Sequence, residues 1–316
     1  MRVLVTGGTG FVGSILCGAL TDAGMTVRVA ARRDGPIPAR AAERVVVGDI
    51  TGAVDWTAAV AGVDAVIHAA ARAHVLHDRP ENARLYEEVN TTGTRCLAEA
   101  AGRAGVRRFL YISSIKVNGE ETAVNSFTPQ DPPRPQDSYG VSKMRGEQAL
   151  LEVAAQTGMV AASVRPPLVY GPGVRANFLR LLRWVDRGWP LPLGSVDNRR
   201  SLVSVWNLCD LIVRLLNDPL PRGRAWLVSD AEDVSTADLL RRVGRVMRRP
   251  VRLVPLPVNV LSSLAAVVGK RAEVSRLCGS LTVDISQTRD LLGWSPPLTL
   301  DECLERTVSW YLSSKT

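Results

Sequence analysis

Lysine is scarce in this chain. Of 39 cationic residues only Lys116, Lys143, Lys270 and Lys315 are Lys, so arginine carries the net charge of +8. A basic protein invites a nucleic-acid reading. The pairs Arg32-Arg33, Arg107-Arg108, Arg199-Arg200, Arg241-Arg242 and Arg248-Arg249 are spread out, however, and aromatics are only 5%. No basic stripe with interleaved rings results, which sets nucleic-acid binding aside. Cysteine is sparse too: Cys17, Cys96, Cys209, Cys278 and Cys303 are scattered and form no CxxC pair. That excludes a disulfide framework and a zinc site, and suits a reducing cytoplasm, where the protein is expected. His74 and His77 form an HxxH without an acidic or Cys partner nearby, and read as loop, so no metal is expected. Long apolar runs are missing. The longest, from Val258 to Val268, is interrupted by Asn259, Ser262 and Ser263, and falls short of the roughly 20 residues of a membrane span. It reads as core. No signal peptide is visible after Met1, and there is no internal repeat or low-complexity tract.

The 316 residues are 46% hydrophobic and 22% charged, ordinary for a globular chain. Continuous apolar runs of strand length alternate with helical patterns through the first half. Strands are expected over 2–6, 26–31, 45–48, 65–69, 108–113 and 160–165, with helices over 13–23, 80–102 and 138–157 between them. Runs without polar alternation are strands buried on both faces, and repeated β-α-β units imply a parallel sheet. After Pro166 the chain is punctuated by Pro and Gly, with helical patterns over 176–186, 207–217, 236–247 and 301–312 and one further strand over 225–229. The fold class is therefore α/β: a Rossmann-type doubly wound parallel sheet with a smaller, discontinuous C-terminal α/β substrate domain. Residues 1–165 with about 203–230 form the first domain, and 166–202 with 231–316 the second. The site is expected in the cleft at the carboxyl ends of the strands.

The first chemistry-bearing motif is Gly7-Gly8-Thr9-Gly10-Phe11-Val12-Gly13, directly after a strand and opening a helix. Gly7 permits the turn, Gly10 admits backbone to a diphosphate, and Gly13 lets helix pack on strand. Anions bind the exposed N–H groups of such a helix start, so Thr9, Phe11 and Val12 complete a dinucleotide cradle. The second is Tyr139-Gly140-Val141-Ser142-Lys143. At i and i+4 on a helix the ammonium sits near the phenol. A cation there favours phenolate and brings a group of ordinary pKa about 10 toward service as an acid-base. The third is Ser113-Ser114 at a strand end, followed by Ile115-Lys116-Val117-Asn118-Gly119.

The GxxGxxG spacing, the Tyr-xxx-Lys pair and the Ser-Ser segment together resemble the extended short-chain dehydrogenase/reductase superfamily. The resemblance implies Ser114, Tyr139 and Lys143 as catalytic residues, with Ser113 as the close alternative to Ser114. It further implies cofactor contacts at Asp49 and Ile50, at Ala69, Ala70 and Ala71, at Asn90 in Val89-Asn90-Thr91-Thr92-Gly93-Thr94, at Ser113 and at Pro166. Two departures stand out: Asn118 replaces the usual Tyr, and Lys116 is unusual at its position. Lys116 reads as a solvated loop lysine or as a residue reaching substrate.

Within the superfamily the second half resembles the nucleotide-sugar epimerase/dehydratase/reductase group of surface-polysaccharide (lipopolysaccharide) biosynthesis. Asn177 then faces the nucleoside of a UDP-sugar, Arg200 grips its diphosphate, and Arg276 is a weaker second diphosphate contact. Leu168 stands where many members have a substrate-contacting Asn. At the end of the second strand NAD-specific members carry an acidic residue, whereas here Ala31 is followed by Arg32 and Arg33. That favours NADP(H), with NAD(H) as the alternative. A reductase consumes and exchanges its cofactor, so the same pair favours reduction of a UDP-4-keto-6-deoxy-N-acetylhexosamine over a UDP-hexose 4-epimerase with tightly bound NAD. A dehydratase is disfavoured because Ile115-Lys116 stands in place of Asp-Glu. A non-enzymatic dinucleotide sensor or an RNA-binding member is the alternative of another class. The resemblance also implies a homodimer.

Overall fold

Seven apolar stretches pair into one parallel sheet. The computed structural model describes residues 1–38, 40–73, 80–218, 223–267, 269 and 271–315. In chain order the elements are β1 (Arg2–Thr6), α1 (Phe11–Asp22), β2 (Thr26–Ala31), β3 (Glu43–Val46), α2 (Thr57–Val60), β4 (Ala65–His68), α3 (Pro80–Tyr86), α4 (Gly93–Arg103), β5 (Arg108–Ile112), α5 (Ser138–Thr157), β6 (Val160–Arg165) and β7 (Leu168–Tyr170). There follow α6 (Ala176–Arg187), β8 (Arg200–Ser204), α7 (Val205–Asn217), β9 (Arg224–Leu227), β10 (Asp233–Val234), α8 (Thr236–Val246), α9 (Val258–Val267), α10 (Arg271–Cys278), α11 (Ser286–Leu292) and α12 (Leu300–Ser313).

The large sheet runs β3-β2-β1-β4-β5-β6-β9. The strand order reverses between β1 and β4, where Thr6 pairs with His68. That switch point opens a crevice at the carboxyl ends of the strands. On one face, α1 and α7 pack through Leu16, Leu20, Leu208 and Leu211. On the other, α4 and α5 pack through Leu97, Leu150 and Val153. A second, three-stranded sheet runs β10-β8-β7, with β7 and β8 parallel and β10 antiparallel. Its core, with α6, α8 and α12, is a separate cluster around Tyr170, Phe178, Leu240 and Leu304.

Helix α5 carries two of the expected catalytic residues, and its ends are defined locally. Asp137 accepts from the Gly140 N–H at 2.7 Å as N-cap, and Gly158 closes the helix at φ 74°. Between α3 and α4 the chain makes a π-helical stretch, Glu87–Thr92. Such wide turns re-aim a side chain, and here the one turned inward is Asn90, which is fully buried.

Two sequence expectations change. The apolar run from Val45 to Gly48 predicts a buried strand. The strand is Glu43–Val46, at the sheet edge, and it alternates partly buried with exposed residues. Of the stretch from Leu256 to Val268, the described residues are not core: Val258–Val267 form α9, of which only Ala265 is buried, while Val258 and Leu261 pack partly buried on the core of the smaller sheet. No helix among the described residues is long and apolar enough to cross a membrane.

Candidate active site

The glycine loop after β1 is a close-packed cradle. A Cβ on Gly7, at φ 68°, would meet the Ala70 N at 2.7 Å. A Cβ on Gly13 would lie 2.1 Å from the Gly7 carbonyl oxygen. The Gly10 N–H donates to that same carbonyl at 2.9 Å. Gly10 is the N-cap of α1 and offers no side-chain cap. The first amides of the helix therefore point into the crevice with the positive end of the helix dipole behind them.

Opposite the loop, Ala69, Ala70 and Ala71 continue from β4. Ala70 N–H donates to Thr6 Oγ1 at 3.2 Å. Thr6 Oγ1 lies 2.6 Å from His68 Nδ1, and His68 Nε2 lies 3.1 Å from Thr94 Oγ1. Thr94 donates its proton to the Asn90 carbonyl, so its oxygen is free to accept, and the network fits a His68 protonated on Nε2. Burial, with the nearby Lys143 charge second, pushes His68 down to about 3, and it is a neutral strut. Asn90 bonds both the N–H (2.9 Å) and the carbonyl (3.1 Å) of Arg72, and donates to Ser142 Oγ at 3.0 Å. With its amide so occupied, Asn90 clamps the segment after β4 to α5 rather than reaching a ligand itself.

At the end of β5 the two serines differ. Ser113 is buried and its hydroxyl has no hydrogen-bond partner among the described residues. Ser114 caps the short 3-10 turn Ile115–Val117, and its hydroxyl lies against the Tyr139 phenol, where it favours phenolate. Burial is the larger influence, reinforced by the Asp137 carboxylate, and holds Tyr139 well above the ordinary tyrosine range. Tyr139 also meets the Tyr86 ring edge-on at 5.8 Å.

Lys143 departs from expectation. Its Nζ donates to the Ile112 carbonyl at 2.6 Å and sits 4.0 Å above the Tyr111 ring. A fully buried ammonium takes the carbonyl and the ring face as the compensation within reach. Among the described residues it forms no salt bridge, and burial lowers it from 10.5 to about 7, against a smaller upward pull from Glu147. Because the unfolded lysine binds its proton up to 10.5, folding must shed that proton between the two values. Stability therefore rises with pH from about 7 to 10.5 and is flat with respect to this group below 7. Denaturant titrations of wild type and Lys143→Met should diverge over that window, the wild type gaining. Parallel curves would mean the ammonium is solvated.

Lys116 is not a solvated loop lysine. It is half-buried and bridges Glu120, at 2.7 Å, and the N-cap carboxylate Asp137. Both carboxylates hold it above the usual lysine range despite burial. Arg32 pairs with Asp49 at 2.9 Å, both side chains exposed, and Arg33 is exposed beside them. Two residues expected to act on separate parts of a dinucleotide thus meet each other. Ile50 packs against Gly93 at the start of α4. Pro166 is buried and its carbonyl accepts from Ile115 N–H at 3.0 Å, tying the exit of β6 to the serine turn.

On the other sheet, Arg200 donates from Nη1 to the carbonyls of Arg276 (2.8 Å) and Gly279 (3.0 Å). The Arg276 side chain is exposed, and Asn177 is exposed in the first turn of α6. Arg200 and the α10 terminus are thus joined, while Asn177 stands on a different element. His74 and His77 lie outside the described residues.

The glycine cradle, the uncapped helix start, the orphan Ser113 hydroxyl and the buried Lys143 ammonium fit a nicotinamide dinucleotide. A family model described as the NAD dependent epimerase/dehydratase family matches residues 3–228. The chain belongs to that family. It is 42% identical to a Vibrio cholerae UDP-glucose 4-epimerase over 99% of this chain and 96% of that one. An N-acetyl-alpha-D-glucosaminyl-diphospho-ditrans,octacis-undecaprenol 4-epimerase of Escherichia coli O157:H7 is 26% identical, covering 98% and 95%. The solved structure of MoeE5 with UDP-glucuronic acid and NAD matches with a TM-score of 0.80 at 26% identity, covering 99% of this chain and all of that one. In this family member, sequence reasoning missed the Thr6–His68–Thr94 ladder and the place of Asp137 beside Tyr139. Only the Asp-Ser-Tyr order before a helix hints at the latter, as an N-cap.

Proposed function

We propose that the protein is a UDP-hexose 4-epimerase working with retained NAD. The observation that carries this reading is the end-to-end likeness, at 42% identity, to the Vibrio cholerae UDP-glucose 4-epimerase. The Ser114, Tyr139 and Lys143 set is the chemistry such a reaction needs. Gly7, Thr9, Gly10, Phe11, Val12 and Gly13 hold the diphosphate of the dinucleotide, and Ala69 to Ala71 flank it. Lys143 and Ser113 supply buried polar groups deeper in the crevice. When bound, the dinucleotide accepts the hydrogen of sugar C4 and gives it back. Ser114 holds the C4 oxygen by a hydrogen bond. Tyr139 takes the proton from that oxygen and returns it. The phenol is protonated at neutral pH in the structure, so proton removal needs a cation brought against it, and proton return does not. Arg200 and Asn177 line the sugar-nucleotide side.

A second reading, 4-keto reduction with NADPH, is favoured by Arg32 and Arg33 standing where an acidic residue binds the ribose diol. The Arg32–Asp49 pair occupies one of those guanidinium groups and supports the NAD reading instead. Incubation with UDP-glucose or UDP-N-acetylglucosamine, without added dinucleotide, should yield the C4 epimer. No interconversion, with NADPH consumed by a UDP-4-keto-6-deoxy-N-acetylhexosamine, would overturn the epimerase reading in favour of the reductase.

A further inference from the structure

We propose that the described residues of the segment 245–276 form a docking surface for an anionic phospholipid bilayer. The inference stands apart from the epimerase reading and does not depend on it. Two independent features coincide in this segment.

The first is charge. Residues 245–276 hold seven cations (Arg245, Arg248, Arg249, Arg252, Lys270, Arg271 and Arg276) against one carboxylate, Glu273, a net +6 of the chain's +8. Glu273 is bound to Arg180 of α6 at 2.9 Å. Arg245, Arg248, Arg252 and Arg271 are exposed and form no salt bridge among the described residues. Basic side chains at this density are drawn to an anionic lipid surface.

The second is an apolar stripe on the wrong side of a helix. The inner face of α9 is already satisfied: Val258 and Leu261 pack on the core of the smaller sheet and Ala265 is buried. A surface helix ordinarily presents polar residues outward. Here Val260, Leu264 and Val267, at i, i+4 and i+7, are 40%, 57% and 87% exposed. Val254 and Trp189 add 46% and 55% exposure nearby. The Leu191 N–H donates to the Arg252 carbonyl at 2.9 Å, which brings the Trp189 segment alongside. An outward apolar stripe flanked by arginines and an amphipathic ring is the pattern of a helix lying in the membrane interface, too short to span it. The α10 terminus supplies the carbonyls that Arg200 bonds, so the docked face borders the sugar-nucleotide side.

The test is co-sedimentation of the full chain with vesicles of equal parts phosphatidylglycerol and phosphatidylcholine, and with pure phosphatidylcholine vesicles. The wild type should bind the anionic vesicles at least about tenfold more tightly, and lose that binding as salt is raised. Leu264→Glu with Val267→Glu, and separately Arg248→Glu with Arg252→Glu, should each weaken it by about tenfold or more. Both pairs lie on the surface, so thermal stability and turnover of a soluble UDP-hexose should be unchanged. Absence of vesicle binding by the wild type overturns the proposal, as does equal binding by the α9 variant. Sedimentation equilibrium showing a dimer that the Leu264→Glu, Val267→Glu variant dissociates would also overturn it, assigning the stripe to a second copy. Vesicle binding is read without sugar nucleotide, so its failure and a failure of the epimerase reading are separate results.

Discussion

Tyr139→Phe should lower turnover by roughly a hundred- to ten-thousandfold, the contribution of a positioned proton-transfer group, while the dinucleotide stays bound. The ring survives the change, and with it the edge-on contact to Tyr86 and the packing at the start of α5. Only the hydroxyl is lost, and with it the group proposed to exchange a proton with the C4 oxygen. The glycine cradle lies on another element, between β1 and α1, and Lys143 keeps its bond to the Ile112 carbonyl. Steady-state rates and the dinucleotide content of the purified variant check both halves. Full activity would remove Tyr139 from the chemistry. Loss of dinucleotide along with activity would make it a structural residue.

Glu147→Ala should destabilise the protein by about 3–5 kcal/mol, the usual result of stripping one partner from a buried ion pair. Arg165 bonds Glu147 through Nε at 2.9 Å and through Nη2 at 2.6 Å, with both side chains buried. Its Nη1 donates to Asn118 Oδ1 at 3.0 Å, and Asn118 in turn donates to the Thr128 carbonyl at 2.9 Å. The network joins the middle of α5, the end of β6 and the serine turn, so it holds the catalytic elements in register. Removal of the carboxylate leaves a guanidinium out of water with only one amide oxygen to meet it. Urea denaturation at neutral pH measures the loss, and Glu147→Leu with Arg165→Met should recover much of it. A change under about 1 kcal/mol in Glu147→Ala would show that water reaches Arg165 in solution.

This network gives Asn118 a structural place. A short amide completes the arginine's donors there. Nothing in the order Ser-Ser-Ile-Lys-Val-Asn-Gly discloses a partner 47 residues away. What was legible was what is set locally. The bounds of α5, Ser138–Thr157, follow from an N-cap Asp and a left-handed Gly. Strands β1, β4 and β5 follow from apolar runs, while the edge strand β3, Glu43–Val46, does not. The geometry of the serine turn, the helical placement of Tyr139 and Lys143 and the glycine loop could be read because each is a short segment with its own backbone logic. Strands β7, β8 and β10 have two to five residues each, too few for a period to show among prolines. The bond from Lys116 to Asp137 spans 21 residues, and composition alone leaves Lys116 between solvent and substrate. The apolar run that forms α9 carries no mark of which face the rest of the fold leaves open.

In the proposed reaction, hydrogen leaves C4 of a UDP-hexose and returns to the same carbon within one site. UDP-glucose bearing deuterium at C4 tests it directly, followed by NMR with no dinucleotide added. The expected product is UDP-galactose with the deuterium still at C4 and none released to solvent or to free dinucleotide. Product without label, or no epimer while NADPH is consumed on a 4-keto substrate, would contradict it.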